Sequence, residues 1–254
     1  MRPYSVVTPP FDLTSGGIRV MYALHGWLMA KGQISHISAT YENKDFVAIY
    51  PEVYRGNMTK AKHIVRYIMA KPGYVRLYGI PGPKTFDPTD KIFVFSELYN
   101  EFGVDDDHIM FLPMLNLHLF KDKGRKRNKV CYFVGKGVDI EKHPKGAIKI
   151  NKAVVNDQQG LSDLLNECSV MYGYDPVSAI YEIARLCGCR VILIPEGHYT
   201  KEQWQKYEPG MNGISWGLEE NVPLDTTKFR EHYINMIDVF SHKLDRFIEL
   251  TQDV

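Results

Sequence analysis

The 254-residue sequence is short of several features that would classify it at once. It holds four cysteines, Cys131, Cys168, Cys187 and Cys189, too few for a disulfide scaffold. None forms a CxxC pair and no histidine stands beside them, so they read as buried thiols in a reducing compartment rather than a metal site. No apolar run approaches the roughly 18 residues of a membrane-spanning helix, and the opening MRPYSVVTPPFDL lacks the apolar core of a signal peptide. The expectation is a cytoplasmic protein with no integral membrane contact, whose membrane association, if any, is peripheral. An excess of one charge is missing as well. The sequence has 31 Lys and Arg against 30 Asp and Glu, a net charge of +1. That removes a global electrostatic case for nucleic acid or anionic lipid and leaves only local basic surfaces. Two nucleotide signatures are incomplete. Thr14-Ser15-Gly16-Gly17 is half of a dinucleotide fingerprint with Val20 where its third glycine would stand, and no GxxxxGK[ST] occurs.

What is present is α/β patterning, twice. Tyr4 to Thr8 reads as a strand stopped by Pro9-Pro10. The glycine-bearing loop FDLTSGG leads into a helix ending near Ala30. Strands follow at 34–39 and 46–51, then a helix at 59–70, short strands at 75–79 and 91–96, and a further candidate at 109–112. The charged stretch LHLFKDKGRKRNK reads as a basic linker. After it the pattern restarts with strands at 130–134 and 147–150 and a helix at 158–167. The stretch SVMYGYDPVSAIYEIARLCGCRVILIP then forms one βαβ unit. Asp175 is the expected helix cap, Pro176 suits the first turn, Gly188 is the stop, and Arg190 to Pro195 is a buried strand. A long amphipathic helix over 227–250 closes the chain. The expected fold is α/β with two Rossmann-like, doubly wound parallel sheets. The expected domains are 1–118, a linker over 119–129, 130–226, and a C-terminal helix, 227–254, packing back on the first domain.

Several residues stand where such sheets bind ligands, at strand carboxyl ends and helix starts. Gly16 and Gly17 let an oxygen approach exposed N–H groups, or form a plain tight turn. Gly135-Lys136-Gly137 frees the backbone and offers an ammonium to phosphate, or is a surface hairpin. The turn Tyr174-Asp175-Pro176-Val177-Ser178 opens a helix. Glu182, on that helix, is either a solvated residue or an acid able to accept two hydroxyls. Asp12 is a turn residue or a carboxylate aimed into a cleft; where the chemistry needs a general base, Asp12 at the first strand's carboxyl end is the first candidate and Glu52, at the end of VAIYPE, the second. Asp105-Asp106-Asp107 reads as a solvated turn and His25 as a core histidine. The basic run 121–129 is a solvated linker or a phosphate-backbone contact.

Taken together, these residues resemble the GT-B glycosyltransferases. Many of those carry an acid-Pro-x-small turn followed by Glu-Ala-x-x-x-Gly-x-Pro-Val. Here the counterparts are Asp175-Pro176-Val177-Ser178, then Glu182-Ile183-Ala184, Gly188 and Val191-Ile192, with Arg190 where proline is usual. IYPEVYRGN, VRYIMAKPG and EQWQKYEPGMNGISWGLEE are similar to stretches of small bacterial and viral members. The resemblance implies two domains facing a cleft and a metal-independent transfer of a sugar from a nucleotide diphosphate sugar, with UDP the expected nucleotide. It implies that Glu182 holds the donor ribose and that Tyr174 to Ser178 face the donor sugar and diphosphate. Lys136 would lie on the diphosphate, and Gly16 and Gly17 would line the cleft. No cofactor is expected, because the nucleotide sugar is a substrate. The acceptor is a glycan, lipid-linked or not, or a hydroxymethylated base in phage-type DNA. A non-catalytic nucleotide-sugar-binding protein and another nucleotide-dependent Rossmann-like enzyme remain the alternatives.

Overall fold

The computed structural model describes residues 1–138 and 140–252. The chain divides into two compact units, Met1–Met114 together with the chain from Met236 onward, and Leu115–Asn235. In the first unit β1 (Tyr4–Val6) leads through α1 (Gly16–Ala30) to β2 (Ser35–Ile37), and then come β3 (Val47–Pro51) and β4 (His63–Ile68). A two-stranded ribbon, β5 (Arg76–Leu77) and β6 (Ile80–Pro81), precedes β7 (Lys91–Val94). The sheet order is β2-β1-β3-β4-β7 and every pairing in it is parallel. Ser15 caps α1 by accepting from the Ile18 N–H, and Gly32, at φ 75°, turns the chain beyond it.

The helix expected over 59–70 is instead strand β4. Its alternation is hidden in the sequence by a buried cation. Val65 and Tyr67 face one side, while Ile64 and Arg66 face the other, where apolar residues would have signalled a strand. The candidate at 109–112 contributes a single bridge, Val94 to Ile109. The expected strand 75–79 is half of the β5–β6 ribbon.

The second unit runs β8 (Lys129–Phe133), β9 (Ile148–Lys149), α2 (Lys152–Asn156), α3 (Gln158–Glu167), β10 (Cys168–Gly173), α4 (Ile180–Leu186), β11 (Arg190–Leu193), α5 (Lys201–Trp204) and β12 (Ile214–Trp216). Its parallel sheet has the order β12-β11-β10-β8-β9. The stretch expected as a linker, 119–129, lies within this unit. The last helix, α6 (Thr226–Gln252), belongs to the second unit through Asn235 and to the first from Met236. Positions 253 and 254 of the expected helix lie outside the described residues.

Doubly wound sheets carry helices on both faces; these two do not. In the first, Phe247 of α6 meets Tyr4 and Phe93, which share a face, and Trp27 of α1 meets Phe240. The opposite face buries Val7, Phe46, Ala48 and Tyr50 under irregular chain carrying Tyr41 and Tyr54. In the second, Tyr181 of α4 packs where Gly173 has no side chain, and α3 meets the end of α4 through Ser162 and Cys187. The other face presents Tyr132, Val170 and Tyr172, half-buried, with His143 stacked on Tyr132 at 3.7 Å.

Arg66 is how the first sheet holds its helix-free face. Nε donates to Asp90 at 2.7 Å and the other nitrogens to the carbonyls of Tyr54 and Gly56. The guanidinium lies over the rings of Tyr50 and Phe86. Both charged side chains are nearly dry, at 2% and 5% exposure. Arg66→Ala would leave the Asp90 charge buried alone, which destabilises by about 3–5 kcal/mol. Urea unfolding of the variant is expected to show that loss, and a loss below about 1 kcal/mol would mean the pair is solvated.

Candidate functional site

In an open parallel sheet, ligands bind beyond the strand carboxyl ends where the strand order reverses. In the second unit that point lies between β8 and β10, because the chain leaves β8 toward β9 and returns to β10 on the other side. Two turns emerge there, 134–138 after β8 and 174–178 after β10. They are joined through one carboxylate. Asp175 is 3% exposed and accepts from the Lys136 N–H at 2.9 Å and the Val177 N–H at 3.2 Å. Burial pushes its carboxyl above the usual carboxylate range, against the opposing pull of the Lys136 ammonium, the two N–H groups and His198.

The glycines flanking Lys136 follow from that approach. A Cβ on Gly137 would overlap the Tyr174 carbonyl, and one on Gly135, at φ 56°, would overlap the Asp175 carboxylate. Only a side-chain-free backbone comes this near to β10's end. The Lys136 side chain itself is exposed. Tyr174 is fully buried, and its hydroxyl accepts from the Lys142 and His143 N–H groups. It thereby anchors the loop whose His143 covers Tyr132. Pro176 gives its carbonyl to the Trp204 indole at 2.8 Å, and Ser178 accepts from the Ile180 N–H.

Two expectations at this turn are corrected. Asp175 does not cap α4 and Pro176 is not in its first turn. The helix starts at Ile180 with Ala179 in the cap position and no side-chain cap bond, because the Asp175 carboxylate is engaged by Lys136 and Val177. Glu182 is not on an open helix face. All seven residues of α4 are buried, and the Glu182 carboxylate accepts from the Tyr207 hydroxyl at 2.7 Å. Arg185, one turn on, is lowered to about 10 by burial, with Glu182 and Tyr207 opposing the shift.

The surface around these turns holds residues that sequence reasoning passed over. Glu196 accepts from the Val138 N–H at 2.8 Å, so the loop after β11 is tied to the loop after β8. Pro176, Pro195, Glu196, His198, Tyr199 and Trp216 line a shallow surface depression with only about 10 Å³ of enclosed space. The available signal was position: Glu196-Gly197-His198 follows closely on the end of β11 at Leu193.

The first unit has its own reversal point, between β1 and β3. Asp12, Gly16, Gly17 and Glu52 all fall in segments leaving these two strands. Asp12 is exposed and accepts from the N–H and hydroxyl of Thr14. Glu52 is 4% exposed and accepts from the Met69 N–H at 3.0 Å. The Met69 side chain lies 3.6 Å from where a Cβ on Gly17 would be. His25 sits against Ser35 at 2.8 Å, its pKa lowered by burial and then by His36. Asp106 and Asp107 pair with Lys243 and Arg246. Among the described residues no cluster of His, Cys, Asp and Glu could hold a metal ion.

The basic run is largely committed to internal partners. Lys123 and Arg125 pair with Asp163, Arg125 and Lys129 with Glu167, and Arg127 with Asp122. Arg127 also donates to the carbonyls of Leu165, Cys168 and Cys187. This stretch staples α3 and α4 to the sheet.

No family model matches the chain, and no curated protein matches it. Among solved structures, it is similar to a functionally uncharacterised protein from Klebsiella pneumoniae, at 11% identity and a TM-score of 0.45, over 80% of this chain and 87% of that one. It is similar also to the C-terminal part of Escherichia coli RcsC, containing a linker region and a phosphoreceiver domain, at 14% identity and a TM-score of 0.22, over 96% of this chain and 95% of that one.

The Asp175 environment makes stability depend on pH. Its pKa is raised in the fold, so its contribution is full below the ordinary carboxylate value of about 3.9 and is lost as pH rises through the raised value. Asp175→Asn has no such titration. The urea midpoint of the parent relative to Asp175→Asn is expected to fall as pH rises above about 4. A constant difference across the series would mean that the carboxyl titrates alike in both states.

Proposed function

We propose that this protein is a glycosyltransferase of the GT-B kind, moving a sugar from a nucleotide diphosphate sugar to an acceptor hydroxyl. The observation carrying the reading is the pair of turns joined through Asp175 at the reversal point of the second sheet. One of them exposes Lys136 between two glycines, and the other carries the Asp-Pro-x-small pattern on which the family resemblance rests.

In this reading the difficult event is departure of the nucleotide diphosphate while positive charge develops at the anomeric carbon. The exposed Lys136 ammonium neutralises the leaving diphosphate, and the fixed turns around it require little reorganisation. Pro176, Val177 and Ser178 border the donor sugar. Of the two carboxylates considered as bases, Asp12 is exposed and open to an acceptor hydroxyl, whereas Glu52 is buried on the Met69 N–H. With the basic run 121–129 engaged internally, a glycan acceptor fits better than a base in DNA.

Donor binding is testable directly. A ligand at about 100 times its Kd adds ~2.7 kcal/mol, a Tm rise of roughly 5–10 °C for a chain of this size. UDP or a UDP-sugar is expected to give that shift, and Lys136→Gln is expected to reduce it without lowering the unliganded Tm. A shift with NAD and none with any nucleotide diphosphate would overturn the reading. Nucleotide binding without donor turnover would identify a binding protein in place of an enzyme. Glu182→Gln separates two roles of the helix acid: lost donor affinity in a folded variant supports the ribose contact, and unchanged affinity removes it.

A further inference from the structure

We propose that the first unit docks on an anionic lipid surface through the helix-free side of its sheet, a contact that does not rest on the transferase reading. From Val53 to Phe86 the sequence contains no Asp or Glu and carries Arg55, Lys60, Lys62, Arg66, Lys71, Arg76 and Lys84. In a chain of net charge +1, this leaves the rest with an excess of acid, so the positive charge is gathered here. Two of the seven are neutralised, Arg66 by Asp90 and Lys71 by Glu101. The other five are exposed, and no carboxylate among the described residues lies within ion-pair distance of them.

The same stretch exposes apolar side chains. Met58 is 67% exposed, Tyr78 84% and Ile80 62%. Tyr78 and Gly79 form the tip of the β5–β6 ribbon, with Ile80 just beyond it. The ribbon is fixed to the loop that carries Met58, because Arg55 donates to the Pro81 carbonyl at 3.0 Å. Gly82 also approaches the Glu52–Val53 backbone too closely to take a Cβ without displacement. Arg76 donates to the Gly79 carbonyl at 2.9 Å, which holds a cation at the ribbon tip.

Exposed Tyr78 and Ile80 at the ribbon, with Arg55 and Arg76 bonded to the same ribbon, match the boundary between acyl chains and anionic headgroups. The cations reach the headgroups while the tip enters the interface. A nucleic acid fits less well. Strand binding uses exposed aromatic platforms, and here two of the three exposed apolar side chains are aliphatic.

The test is co-sedimentation of the full chain with phosphatidylcholine vesicles, with and without about 30% phosphatidylglycerol. Binding is expected only with the anionic lipid and is expected to weaken with added salt. Arg76→Gln with Lys84→Gln should lower partition roughly 25-fold, from about five-fold per cation. Tyr78→Ser with Ile80→Ser should lower it at unchanged charge. All four positions are exposed, and an unchanged Tm verifies folding. Absent binding, equal binding to neutral vesicles, or parent-like binding by both variants would overturn the proposal. So would an oligonucleotide that binds more tightly than the vesicles and displaces them.

Discussion

The second unit is organised around a carboxylate that has left water. Asp175 sits between two loops and is bonded to the backbone of both. Leaving a buried acceptor without donors costs about 1–3 kcal/mol, more when it is charged, so the loops are held in the places where their N–H groups serve it. From that requirement follow the glycines at 135 and 137, the crowding against the Tyr174 carbonyl, and the exposed position left for the Lys136 side chain. The loop after β11 joins the arrangement through Glu196 and the Val138 N–H. Three loops from three strands are thus fixed through two carboxylates. Pre-organisation of this kind is what a site stabilising developing charge requires.

Arginine performs the corresponding task where helices are absent or short. Arg66 binds the chain over the first sheet, and Arg185 binds the chain beyond α5. The Arg185 side chain is fully buried, lies 4.0 Å over the Phe229 ring and donates to the carbonyls of Pro209, Gly210 and Asn212. Irregular chain has carbonyls that no ladder satisfies, and a guanidinium with five donors can serve several at once. The aromatic rings beneath both cations add attraction in a dry setting.

The sequence made the parallel α/β character legible through its β-branched runs and glycine stops, and the sheets formed near the expected strands except at β4, expected as a helix, and β12, not expected as a strand. What it concealed was polarity in unusual places. Arg66 turned a strand into an apparent helix, because an alternating pattern with a charge on its buried side does not look amphipathic. The run 121–129 looked like solvated linker, because its partners Asp163 and Glu167 lie some forty residues away and ion pairing leaves no local signature. Asp175-Pro176 resembled a helix start for good reason, but capping competes with every other donor in reach, and Lys136 and Val177 won. The position of the Tyr174-to-Ser178 turn at the carboxyl end of β10 was nonetheless readable, since it follows a buried strand and depends only on local pattern.

Glu182 shows where resemblance and geometry pull apart. The resemblance gives this acid the ribose of a donor, while the structure gives it the hydroxyl of Tyr207. These two are chemically alike: each presents an O–H donor to a carboxylate oxygen. At 3% exposure a ribose could not reach the Glu182 carboxylate unless a neighbour moved. Tyr207 is the neighbour whose displacement would leave Glu182 an equivalent bond. It follows α5, a helix of a single turn, and its ring packs tilted against Trp204 with centroids 5.5 Å apart, while the Trp204 indole donates to the Pro176 carbonyl. Movement of Tyr207 would therefore be felt at the Pro176 turn through the Trp204 indole.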